Sequence, residues 1–180
     1  MPAVAEKPVP RETPTRPTFE WDGWDLVREV DPAGVETVYY APQGEITSFK
    51  RGSSVYQVHA DALGSVRSIT AFDGSTNATF AYDAWGQAIA SSNTTSESSF
   101  RFVGSRGVMT DAASGLLSMR LRWYDPSLGV FIGRDPLRTA NRYTYARNNP
   151  LKFIDPSGLL SEQQDCQCED PDALNNVVWN

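Results

Sequence analysis

An aspartate followed three residues later by a glycine recurs along this chain as Asp31/Gly34, Asp61/Gly64, Asp83/Gly86 and Asp155/Gly158. An Asp carboxylate accepts hydrogen bonds from backbone N–H groups just downstream, and Gly takes positive φ without a Cβ clash. Each D-x-x-G unit therefore reverses a strand at low cost. Such a chain is cut into pieces too short for long helices. The pieces are rich in Val, Ile, Thr, Tyr, Phe and Trp and partly alternate: VETVYYAP at 35–42, VYQVHA at 55–60, VRSITAF at 66–72, ATFAYDAW at 78–85 and LLSMRLRWYD at 116–125. Each reads as one strand. DPAG, PQG, DALGS, DGST, DAWGQ and ASG supply the turns between them. Two units also repeat in context, VHADALGSVRSIT and FAYDAWGQAIA, with Asp61 and Asp83 22 residues apart. That period suits one two-stranded unit stacked on the next. The expected fold is all-β, built of consecutive stacked hairpins.

Composition narrows the function. A net charge of -6 disfavours the clustered Lys and Arg that displace counterions from nucleic acid or bind an anionic lipid surface. No apolar stretch approaches the roughly 20 residues that span a bilayer. At 180 residues with 40% hydrophobic side chains, the chain suffices for one domain with a core. Residues 1–18 carry Pro2, Pro8, Pro10, Pro14 and Pro17 without an apolar signal segment. They read as an extended, disordered arm on a protein made in the cytoplasm, whose export would need a specialised secretion machine.

Classical catalytic devices are poorly represented. Cys166 and Cys168 form a lone C-x-C, which lacks the second ligand pair of a structural zinc site and reads as incidental thiols. No metal and no cofactor is expected. His59 is the only histidine, so a Ser-His-Asp or Cys-His arrangement is disfavoured and a packing or turn role is expected.

The most specific stretch is FIGRDPLRTANRYTYARNNPLKFIDPSGLL at 131–160. With EWDGWDLVREVDPAGVETVYYAP, VYQVHADALGSVRSITAFDGSTNATFAYDAWGQAIAS and the YDPSLG element upstream, it resembles the final YD repeats and core segment of the RHS repeat family. The resemblance runs from about Phe19 to Leu159. It implies YD-type repeats at 19–99, an RHS-associated core at 100–160 with short helical turns near its motif, and a short acidic tail at 161–180 without a toxin domain. In that family, which includes bacterial polymorphic toxins, the C component of Tc toxins and the animal teneurins, the repeats wind a β-sheet spiral into a hollow shell. The core segment closes one end. In the toxin branches it also cuts the chain just after the DPxGL motif.

Aspartyl proteolysis needs two carboxylates close enough to share a proton, one ionised to activate water and one protonated to act on the scissile carbonyl. The resemblance points to Asp135 as the catalytic aspartate, to Arg134 as a supporting cation and to the Leu159–Leu160 bond as the cleavage point. Asp155, within the recognition motif, is the candidate second carboxylate. Pro136 and Pro156 stiffen the loops that carry the two aspartates. Arg134 could keep one carboxylate charged or polarise the peptide carbonyl. Gly158 would allow close backbone approach to that bond.

Two departures bear on this expectation. Relatives commonly read Gly-Arg-Phe after YDPSLG, where this chain has Val130. A shell also cannot be closed by so few strands, and the tail, with Glu162, Asp165, Glu169, Asp170 and Asp172, is too short for a toxin enzyme. The alternative to a self-cleaving core module is a structural or interaction protein, whose open sheet edges self-associate or bind a larger RHS protein. Trp21, Trp24, Trp85, Trp123 and Tyr124 would then serve the contact, unless they pack in the core. A sugar-binding surface has little support.

Overall fold

The computed structural model describes residues 17–23, 25–92, 98–137, 141–159 and 161–163. The arm at 1–16, Trp24, Leu160, Cys166, Cys168 and the tail from 164 lie outside the described residues. The fold is all-β. An eight-stranded antiparallel sheet runs in sequence order through β1 (Thr18–Asp22), β2 (Asp25–Val30), β3 (Glu36–Tyr40), β4 (Ser48–Arg51), β5 (Ser54–Ala60), β6 (Val66–Ala71), β7 (Thr76–Tyr82) and β8 (Ala88–Ser92). A second sheet has β9 (Met109–Thr110), β10 (Leu117–Met119), β11 (Arg122–Asp125) and β12 (Val130–Phe131), and a small ladder pairs β13 (Phe153–Ile154) with β14 (Glu162–Gln163). Among the described residues the helical pieces are short 3-10 turns, at Pro42–Gly44, Gly104–Arg106 and Ala146–Asn148.

The Asp-Gly turns share one construction. In each of the first three, the Gly N–H donates to the Asp carbonyl, and Asp Oδ1 accepts from the N–H of Val35, Ser65 or Gln87, at 2.8 to 2.9 Å. Gly34, Gly64 and Gly86 all have positive φ. Consecutive hairpins follow from this local rule, and neighbouring strands pair without crossovers.

One face of the large sheet buries Tyr39, Phe49, Ile69, Ala78 and Phe80 beneath Ile46 and Phe100. Burial of such side chains contributes about 1.5–3 kcal/mol each. The second cluster gathers Phe102, Val108, Leu117, Met119, Tyr124, Phe131, Tyr145 and Ile154. The chain that joins the two clusters is tied across the Gly64 turn: Val66 N–H donates to Arg101 C=O at 2.8 Å, and Ser105 N–H to Gly64 C=O at 2.9 Å. Phe102 lies directly under Gly86, where a Cβ would meet its ring at 2.5 Å. Tyr124 Oη adds a hydrogen bond to the Trp85 carbonyl at 2.8 Å. The core segment is thereby seated on the repeat sheet.

One expected strand is corrected. LLSMRLRWYD folds as the hairpin of β10 and β11, which pair Met119 with Arg122 across Arg120 and Leu121. Arg120 takes positive φ, 52°, in a two-residue turn of the kind that usually recruits Asn or Gly. Neither marks this turn in the sequence, so the run reads as continuous.

Candidate functional site

The β10–β11 hairpin delivers Arg122 into the second core cluster, where its side chain is 4% exposed. Its guanidinium carbon lies 3.6 Å from the centre of the Phe131 ring, a cation–π contact that orients the fork. One terminal nitrogen, Nη2, stands 3.3 Å from Asp135 Oδ2 and 3.3 Å from Asp155 Oδ2. The two carboxylate oxygens are thus no more than twice that distance apart. Nη1 donates to the Arg142 carbonyl at 3.3 Å, and Nε donates to the Gly158 carbonyl.

Each aspartate is held from its other side. Asp135 Oδ1 accepts from Leu137 N–H at 2.8 Å, and the Asp135 N–H donates to Arg142 C=O at 2.9 Å. Asp155 Oδ1 accepts from Leu159 N–H at 3.0 Å and from the Ser157 hydroxyl at 3.1 Å. Both aspartates are buried, Asp135 to 5% and Asp155 to 2% exposure. Burial pushes the Asp155 carboxyl above the usual range, against the opposing hydrogen bond from Ser157 and the charge of Arg122. Burial thus makes the protonated form less unfavourable there than in an exposed carboxyl.

The peptide between Gly158 and Leu159 is gripped at both ends, its carbonyl by Arg122 and its N–H by Asp155 and Ser157. Gly158 is required here. Its φ is +71°, and a Cβ would lie 2.5 Å from the Met119 carbonyl oxygen. The ladder of β13 and β14 pairs Ile154 with Glu162, so residues 155–161 lie between the strands. Residues 61–65 and 83–87 suffice in the corresponding turns of the large sheet.

A cavity of about 360 Å³ opens beside this peptide, lined among others by Arg122, Asp135, Asp155, Leu159 and Ser161. Arg147 and Asn148 line another side. They belong to a run of three consecutive non-glycine residues with positive φ: Ala146 at 47°, Arg147 at 52° and Asn148 at 57°. Such backbone costs about 1–2 kcal/mol per residue and concentrates at functional sites.

Of the residues singled out in the sequence, Asp135, Asp155, Gly158 and Leu159 come together. Arg134 does not join them: it is exposed and lines, with Pro136, Leu159, Trp123 and Ile132, a neighbouring groove of about 520 Å³. Among the described residues Arg122 is the cation that contacts both carboxylates, and the sequence alone did not single it out because it sits inside the run read as one strand. Pro156 is buried within the Asp155 turn. His59 is exposed and its Nε2 contacts Thr70 Oγ1 at 2.9 Å across β5 and β6. Tyr124 is core, whereas Trp21 and Trp123 are 41% and 47% exposed. No helix among the described residues is long and apolar enough to cross a membrane.

A repeat sheet of Asp-Gly hairpins seated on a core with a buried Arg–Asp–Asp cluster defines a YD-shell segment. The chain belongs to the teneurin YD-shell family, which matches it over residues 33–154. It is 30% identical over 167 residues to double-stranded DNA deaminase toxin A of Burkholderia cenocepacia, covering 78% of this chain and 11% of that protein. It is 28% identical over 151 residues to the tRNA3(Ser)-specific nuclease WapA of Bacillus spizizenii, covering 78% of this chain and 6% of that protein. The chain therefore spans a small part of the length of these relatives. The crystal structure of TcdB2-TccC3-Cdc42 shares the fold, with a TM-score of 0.62 at 20% identity over 73% of this chain and 7% of that one.

Proposed function

We propose that this chain is the terminal core module of an RHS-type toxin shell and that it cuts its own backbone once, between Leu159 and Leu160, by an aspartyl mechanism. The observation that carries this reading is the meeting of Asp135 and Asp155 on one nitrogen of Arg122, in a cavity that Leu159 also lines. A pair of buried carboxylates is suited to hold one proton between them. The ionised member takes a proton from water as the water oxygen attacks the Leu159 carbonyl carbon. The protonated member gives its proton to the carbonyl oxygen. Collapse of the tetrahedral adduct breaks the bond to the Leu160 nitrogen, which takes up a proton, leaving a carboxylate on Leu159 and a new amino terminus on Leu160. Asp155, with its raised carboxyl, suits the acid role and Asp135 the base. Arg134 lines the neighbouring groove together with Leu159, and in this reading its part is to polarise the scissile carbonyl from outside the pair.

Intact mass spectrometry of the purified wild-type chain beside Asp135→Asn tests the proposal. The expected result is loss of residues 160–180 from the wild type and a full-length variant. A full-length mass in both chains overturns it and leaves Asp135 as a turn residue.

A second reading is favoured by the sheet edges. Among the described residues, β1 and β8 each have a strand on one side only, and β8 is exposed throughout, with Ile89 at 68%. Unpaired edges of this kind accept strands from another chain. A second copy or a larger RHS protein would supply them. Light scattering across a concentration series tests self-association, and a monomer at every concentration excludes it.

A further inference from the structure

Asp-Pro-x-Gly occurs at residues 31–34 and again at 155–158, with Ala33 at the third position of the first and Ser157 at that of the second. Without a hydroxyl at Ala33 the first turn still forms: Gly34 N–H donates to the Asp31 carbonyl at 2.9 Å and Val35 N–H to Asp31 Oδ1 at 2.8 Å. The turn itself therefore does not need a serine. In the second, the Ser157 hydroxyl donates to Asp155 Oδ1 at 3.1 Å. The Leu159 N–H is shared between that hydroxyl oxygen at 3.3 Å and Asp155 Oδ1 at 3.0 Å. Carboxylate, hydroxyl and amide thus close a triangle on the residue whose carbonyl would be attacked. We propose that Ser157 is a positioning residue, whose hydroxyl locks the Asp155 carboxylate to the Leu159 amide so that the acid and the bond after Leu159 keep one fixed relation. This role rests on the self-cleavage reading above, although the lock itself can be observed without cleavage.

The surroundings of Asp155 give the hydroxyl its weight. Burial raises the carboxyl, and the Ser157 hydrogen bond leads the opposing effects, ahead of the Arg122 charge. A donor to the charged form keeps ionisation of a buried acid within reach. The other groups that face this acid are Arg122 from β11, with Asp135 on the same guanidinium nitrogen, and Arg147 across the cavity. The buried Tyr145 hydroxyl, pushed up by burial and by Tyr124 and Asp155, stays neutral. Ser127 supplies an internal contrast, because its hydroxyl donates to Asp125 Oδ1 at 2.6 Å from an exposed turn of the same core segment. There water can replace it. The Ser157 backbone is anchored separately, its carbonyl accepting from Leu121 N–H at 3.3 Å, so a change of its side chain leaves that tie in place.

The test follows self-cleavage of the full chain by intact mass after dilution from denaturant, across pH, in the wild type, Ser157→Ala, Ser157→Thr and Ser127→Ala. Loss of a hydrogen bond to a charged group should slow Ser157→Ala roughly tenfold. The limb on which cleavage falls with rising pH should also move upward, because the charged form of Asp155 has lost a donor. Ser157→Thr keeps the hydroxyl and should restore rate and profile, while Ser127→Ala should cleave as the wild type does. Wild-type rate and profile in Ser157→Ala overturn the proposal, and so does a rate loss with an unmoved profile that threonine fails to rescue. If the wild type itself stays full length, the self-cleavage reading falls and NMR of the same chains decides the lock. Faster hydrogen exchange at the Leu159 amide, together with a higher titration step for the Asp155 carboxyl carbon in Ser157→Ala, supports it. An amide or a carboxyl step left unchanged by the substitution overturns it.

Discussion

The sequence Asp-Pro-x-Gly occurs twice, at residues 31–34 in the repeat sheet and at residues 155–158 in the core, and the two copies build the same turn. In each, Gly N–H donates to the Asp carbonyl, at 2.9 and 3.2 Å. Asp Oδ1 accepts the N–H of the residue after the Gly, Val35 or Leu159, at 2.8 and 3.0 Å. Each Asp faces an arginine, Arg51 at 2.5 Å or Arg122 at 3.3 Å. What differs is depth: the Asp31 side chain is 19% exposed and that of Asp155 is 3%. At the sheet the hydrogen bond from Val35 holds the Asp31 carboxyl below the ordinary value, whereas in the core burial lifts that of Asp155 above it. The strands also return differently, with residues 31–35 between Val30 and Glu36 but residues 155–161 between Ile154 and Glu162. A turn motif becomes a candidate site when distant segments bury it.

The largest effect that should separate the two turns is loss of the arginine. Arg122→Met leaves two buried carboxylates without their cation, and breaking a buried pair this way costs about 3–5 kcal/mol. Arg51→Met at the Asp31 turn should cost far less, because water solvates that carboxylate in its place. Urea denaturation of both variants measures the contrast, and equal losses would show that depth is not what distinguishes the turns.

The glycines give the next effect. At Gly34 a Cβ meets nothing within 4 Å, so Gly34→Ala pays only for the left-handed backbone, about 1–2 kcal/mol. At Gly158 the same Cβ would press on the Met119 carbonyl at 2.5 Å and on the Arg122 nitrogen at 3.1 Å. Gly158→Ala should cost about 1–3 kcal/mol beyond its counterpart and should also slow cleavage by displacing the gripped peptide. Thermal unfolding of the pair reads the first consequence and the mass assay the second. Matching melting temperatures would rule out the close backbone approach.

Much of the repeat sheet is legible locally because its rule is local. The strands at 36–40, 54–60, 66–71 and 76–82 lie where β-branched and aromatic residues alternate between Asp-Gly turns. The core is harder, because its decisive features are not marked by the residues that usually accompany them. Arg120 makes a hairpin turn without Gly or Asn, and Ala146 and Arg147 take left-handed backbone that their side chains disfavour. Tertiary packing sets both, and both shape the site. Asp135 and Asp155 could be named from the resemblance, yet the cation between them could not. Arg134 is adjacent to Asp135 in sequence, but successive residues in extended backbone point to opposite faces, and the structure leaves Arg134 outside and Asp135 within. Val130 stands where relatives commonly carry an Arg, and in this chain the cation that contacts both acids is Arg122, from the neighbouring strand β11.

The smallest separation between the two turns should appear in the pH dependence of stability, with opposite signs. Asp31 is held below its ordinary value of 3.8, chiefly by the Val35 N–H. Its stabilising contribution is therefore complete above pH 3.8 and lost as the pH falls through its lowered value. Asp155 is raised above 3.8, chiefly by burial. The fold favours its protonated form, so that contribution is complete below pH 3.8 and lost as the pH rises through the raised value. Denaturation of the wild type, Asp31→Asn and Asp155→Asn on both sides of pH 3.8 resolves the two. The advantage of the wild type over Asp31→Asn should open as the pH climbs toward that value. Above it, the wild type should lose ground to Asp155→Asn. Slopes of the same sign for both aspartates would mean that Asp155 is as well solvated as Asp31, and the burial that turns its loop into a candidate site would have to be given up.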